Sequence, residues 1–134
     1  MHTPDLKNRL IAEVAKAADL CMKPYLHSVS LESHLDNEIA DENIDDLTFK
    51  IQCRDIEGER QPSMDIELEV YKSGNDINIT SSFSSLLHTP ILWQGKHSVW
   101  MDSDSGIQCQ APSNGQLFEA LARKLRNIFK GSFF

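Results

Sequence analysis

The sequence predicts an α+β domain: an antiparallel meander sheet of five to seven strands, with N-terminal and C-terminal helices packed on one face. Three observations carry this. Apolar residues recur at helical spacing only near the two ends of the chain, they alternate with period two between those ends, and neither a βαβ alternation nor an internal repeat intervenes. A half-open barrel capped by the C-terminal helix satisfies the same pattern and stands as the alternative. The chain has 134 residues, 40% of them apolar. A single domain over residues 1–134 of that size buries roughly two-thirds of its unfolded surface and needs no disulfide or metal to hold its core.

The first helix is expected over about 4–23. Thr3 and Pro4 supply a capping hydroxyl and a preset φ, and Leu6, Leu10, Val14, Ala17 and Cys21 then form the stripe, widened by Ile11, Ala18 and Met22. Pro24 ends it. The period then changes to two over about 25–35, where Tyr25, His27, Val29, Leu31 and Leu35 share one face. Residues 36–46 hold six carboxylates and no cation, which reads as a solvated loop with a short helical turn near Ala40–Asp45.

The clearest alternation follows at about 47–55, with Leu47, Phe49, Ile51 and Cys53 inward. A matching strand at about 64–72 turns Met64, Ile66, Leu68 and Val70 inward and Asp65, Glu67, Glu69 and Tyr71 outward. Cations on the first of these strands face anions on the second, and each such cross-strand pair contributes a few tenths of a kcal/mol, up to about 1. Ser73-Gly74-Asn75-Asp76 is a hairpin turn into a strand at about 77–84. Shorter strands are expected at about 91–94, 97–102 and 107–111. The closing helix, about 114–130, opens on a Ser113/Gln116 capping box, with Gly131 placed as a C′ glycine.

Composition excludes more functions than it suggests. With 13 Lys and Arg against 20 Asp and Glu, the net charge is −7, which counts against nucleic acid and anionic membranes as partners. No apolar run reaches about 18 residues and the N-terminus lacks a secretory apolar core, so a cytoplasmic protein is expected. Cys21, Cys53 and Cys109 are an odd number at wide spacing and read as small buried hydrophobes, not as a disulfide framework or metal pair. Phosphate-binding glycine loops, a nucleophile elbow and the HExxH zinc motif are all missing. Asp102-Ser103-Asp104-Ser105-Gly106 alternates carboxylates as a calcium loop does, but its glycine comes one place early and Ser113 stands where the bidentate Glu belongs. No catalytic residue, resident metal or cofactor is therefore expected. Asp36, Glu38, Asp41 and Glu42 of the acidic loop are the only weak candidates for a hard cation.

A ligand or partner surface is expected at Trp93, His97, Trp100 and Met101, joined by the terminal Phe133 and Phe134. Both tryptophans of the chain lie in this stretch, and alternation sends Trp93, His97, Val99 and Met101 to one face and Trp100 to the other. A basic face is expected on the closing helix at Arg123, Lys124, Arg126 and Lys130. Residues 25–79 carry four cations and fourteen anions, whereas 117–134 carry four cations and one anion. That polarity suits an acidic partner, or a second copy in a homodimer. The leading expectation is a non-enzymatic interaction or adaptor domain. The alternatives are a small-molecule-binding or hydrolytic domain with a pocket near Trp93, His97 and Met101, and weak nucleic-acid binding through the basic helix.

Overall fold

In the computed structural model, residues 6–32, 46–84, 89–113 and 115–133 are described. The element order is α1 (Leu6–Cys21), β1 (Leu26–Leu31), β2 (Asp46–Arg54), β3 (Ile66–Ser73), β4 (Asp76–Phe83), β5 (Ile91–Gln94), β6 (Ser98–Met101) and α2 (Gly115–Phe133). The six strands form one antiparallel sheet in the order β1-β2-β3-β4-β5-β6. Neighbours in sequence are neighbours in space throughout, and the sheet stays open because β1 and β6 do not meet. The meander with two terminal helices is thus the observed fold, and its sheet is not closed.

Both helices cover the same face. Leu10, Val14, Ala17, Ala18 and Met22 of α1 and Phe118, Leu121, Ala122, Leu125 and Phe129 of α2 join the inward residues of β2, β3 and β4 in one core. Full burial of each large member of that core contributes about 1.5–3 kcal/mol. Phe49 at the sheet centre meets Phe129 at a centroid distance of 5.8 Å. Register keeps the inward rows aligned: Val29 pairs with Ile51, Phe49 with Leu68 and Val70 with Ile79. The β3–β4 loop is only Gly74-Asn75, and Gly74 has φ 65°, a conformation costly for any residue with a Cβ.

Several details depart from the sequence pattern. The stretch 107–111 is not a strand: Gln108 makes a single bridge to Met101, and Cys109 N–H donates to Trp100 O at 2.8 Å. Its alternation does not reflect burial, since Ile107 is 68% exposed. Helix α2 runs past Gly131 to Phe133, so that glycine lies within the helix and not at a left-handed cap. Asp65 is not an outward strand residue. The 3-10 turn Pro62–Met64 delivers it to the interior, where it is 3% exposed. There it accepts the Cys53 N–H at 2.8 Å and both Arg60 guanidinium nitrogens at 2.9 and 2.8 Å. The Thr3-Pro4 start and the acidic loop before Asp46 lie outside the described residues.

Candidate functional site

One face of the sheet carries the helices, and the other is left uncovered by the described helices. Period two and the register together lay out its surface. One row runs Thr48, Glu69, Thr80, Trp93 and Val99 across β2 to β6. A second places Lys50 opposite Glu67 and Glu67 opposite Ser82, and a third joins Asp46, Tyr71 and Asn78. Between the first two rows the face sinks into a depression of about 330 Å³ lined by Thr48, Glu67, Glu69, Thr80, Ser82 and Ile91. That volume lies at the small end of ligand-binding cavities.

The depression is polar and negative. The Glu69 carboxyl is raised above its ordinary value, first because it shares a hydrogen bond with Asp46, then through partial burial and the charges of Asp46 and Glu67. Of the three anions that alternation turns outward on the strand expected at about 64–72, only Glu67 sits opposite a cation, Lys50; Glu69 faces Thr48, and Asp65 precedes β3 and is withdrawn into the core. The charge excess of β3 over β2 was the available sign of this feature, but alternation cannot show that the strand surface is hollow there.

At the margin of the depression stands Trp93, half-buried, with its Nε1–H donating to the Tyr71 hydroxyl at 2.9 Å. Gly95 lets the indole lie there, because a Cβ at that position would stand 2.6 Å from the ring. Met101 and Val99 continue the same face, half-buried. His97 is exposed in the β5–β6 turn, and its carbonyl accepts the Gly95 N–H at 3.1 Å. Trp100 takes the opposite face. It is 5% exposed, stacks on Phe118 and donates its Nε1–H to Glu119 at 2.6 Å, so it serves the core and not a partner surface. Phe133 is the last residue of α2, and Phe134 lies outside the described residues.

The basic face of α2 is partly committed within the fold. Arg126 donates to the Ile77 carbonyl and to Asp76, and Lys130 lies 3.7 Å from the same carboxylate, while Arg123 and Lys124 are exposed. The Asp76 carboxyl is lowered chiefly by the Ile77 N–H it accepts, with Arg126 and Lys130 adding to this against the opposing effect of burial. The Asp102 turn is also committed: Asp102 Oδ1 accepts the N–H groups of Asp104 and Ser105, leaving that carboxylate turned to its own backbone. Asp36, Glu38, Asp41 and Glu42 fall outside the described residues. Among the described residues no group of three His, Cys, Asp or Glu side chains is placed to hold a metal ion, and no helix is long and apolar enough to cross a membrane.

Compared with known families, residues 11–128 match the family model described as a domain of unknown function, DUF8659. No curated protein and no solved structure matches the chain.

Proposed function

The chain belongs to the DUF8659 family, and from that premise we propose that it is a non-enzymatic protein-interaction module whose recognition surface is the open face of its sheet. The observation that carries this reading is the depression lined by Thr48, Glu67, Glu69, Thr80, Ser82 and Ile91, bordered by the Tyr71–Trp93 pair, on the face that the helices leave uncovered. The partner presents a Lys or Arg side chain from an extended segment. A cation entering the depression meets Glu67 and Glu69 and offsets the Asp46 and Glu67 charges that, after the hydrogen bond shared with Asp46 and partial burial, keep the Glu69 carboxyl raised. Trp93, two strands from Glu69 along one cross-strand row, offers an aromatic surface for the stem of the same side chain.

A fluorescence titration tests this with a short Lys- and Arg-containing peptide as the probe. Trp100→Phe removes the core indole and leaves Trp93 as the single reporter. The expected result is a saturable change in Trp93 emission that weakens with salt and is lost in Glu67→Gln/Glu69→Gln. A flat titration, or one that the double substitution leaves unaltered, refutes the reading.

A further inference from the structure

The two edges of the sheet differ. At β6 the chain guards its own edge: Gln108 bridges Met101, Cys109 N–H bonds to Trp100 O and Asp102 N–H bonds to Ile107 O. At β1 no described residue makes a comparable backbone contact. The hydrogen-bonding phase of β1 follows from one bond, the Glu32 N–H to Thr48 O at 2.7 Å. Even-numbered residues of β1 therefore bond to β2, and the N–H and C=O groups of His27, Val29 and Leu31 point away from the sheet.

Exposed edges are ordinarily blunted by Lys, Pro, a bulge or a covering segment, because unpaired backbone groups template another strand. The β1 sequence, Leu-His-Ser-Val-Ser-Leu, has no Lys, Pro or Gly, and its pairing with β2 runs without a bulge. Leu26 is 48% exposed on this strand, and Val29 and Leu31 are only partly buried at the core margin.

We infer that β1 is a self-pairing edge, and that two copies of this chain join there in antiparallel register with Val29 on the two-fold axis. Charge and symmetry favour a second copy over a foreign strand. The strand has no Lys, Arg, Asp or Glu of its own to oppose its image, the Asp19 carboxylate of α1 being engaged with the His27 ring at 3.1 Å, and this register faces Val29 with Val29, His27 with Leu31 and Ser28 with Ser30. It also engages every outward N–H and C=O of His27, Val29 and Leu31 on both copies, which a register centred on Ser28 or Ser30 does not. Because the inward side chains of β1 are odd-numbered in both copies, the helical layers fall on the same side and the partly buried Val29 and Leu31 margins meet. The contact uses the edge of the sheet and is independent of the binding face proposed above.

Light scattering on the full chain and two double variants tests the register. The native chain is expected at twice the mass of one chain. Ser28→Lys/Ser30→Lys opposes lysines across the seam on the exposed face and is expected to be monomeric with an unchanged far-ultraviolet circular dichroism spectrum. Ser28→Lys/Ser30→Glu places Lys opposite Glu twice and is expected to dimerise again. Hydrogen exchange should find the His27, Val29 and Leu31 amides protected in the native chain and fast in the double-lysine variant. A native chain that is monomeric at millimolar concentration, a double-lysine variant that remains dimeric, or a Lys/Glu variant that fails to recover overturns the proposal.

Discussion

The Trp93 indole and Gly95 occupy one another's space: a Cβ on Gly95 would stand 2.6 Å from Trp93 Cη2 and 2.9 Å from Cζ2. The ring lies over the strand end only because position 95 has no side chain, and from there it reaches the Tyr71 hydroxyl. Gly95→Ala should displace the ring, break that hydrogen bond and destabilise the protein by about 1–3 kcal/mol, the usual range for overpacking. Trp93 emission should shift to the red. A melting curve and an emission spectrum unchanged from the parent would contradict this account.

Asp65 holds the β2–β3 connection. Burial alone would raise its carboxyl, but the hydrogen bonds from Arg60 and the Cys53 N–H, together with the Arg60 and Lys50 charges, outweigh burial and leave it below its ordinary value. A depressed carboxyl contributes stability that is present above its unfolded value, about 3.9, and is lost as pH falls through the folded value. Asp65→Ala should cost about 2–3 kcal/mol at neutral pH, because it strands the Cys53 N–H and unpairs an Arg60 that solvent only partly reaches. Denaturant titrations of the two proteins should converge as the pH is lowered through the acid range. A gap that is constant with pH would mean the loss is one of packing.

Glu69 has the opposite sign. Its raised carboxyl contributes stability that is fully present below its unfolded value, about 4.3, and declines as pH rises through the folded value. Glu69→Gln should therefore stabilise the chain at neutral pH by less than about 1 kcal/mol, since the site is partly exposed. Thermal melts at neutral and acid pH measure it, and destabilisation at neutral pH would show that the Glu69 charge is satisfied in the fold.

The Cys53 thiol is pushed up to about 11, mainly by burial and then by the neighbouring Asp65 charge. Near pH 8 only about one thiol in a thousand would then be thiolate. A thiol-specific reagent should label the half-buried Cys21 and Cys109 before Cys53, and Cys53 should react at the rate of local opening. Mass spectrometry of the labelled peptides gives the order, and early modification of Cys53 would contradict it.

Much of this fold is legible in the sequence because its signals are local. The alternation Leu47, Phe49, Ile51, Cys53 and its counterpart Ile66, Leu68, Val70 name their buried face unambiguously, and the stripes of α1 and α2 do likewise. The separation of Trp93 from Trp100 also follows from period two, although which of them is buried depends on where the helices pack. What period two cannot convey is the behaviour of polar residues at element ends. Asp65 keeps the phase of an outward residue, yet a 3-10 turn carries it inward to Arg60, five residues earlier in the chain. Ile107 alternates correctly and is exposed, because a strand needs a neighbour along its length and this segment has one bridge. The depression on the open face depends on sheet curvature and on six residues from four strands, a relationship with no linear signature.

The backbone contacts at β6 bear on whether a further strand could add at that side of the sheet. A strand array that is adhesive on both sides adds copies without limit and becomes a fibre, whereas one that is shut on one side terminates after its first addition. Gln108 and Cys109 fold back onto β6 and occupy part of that edge, so a strand adding there would first have to displace them.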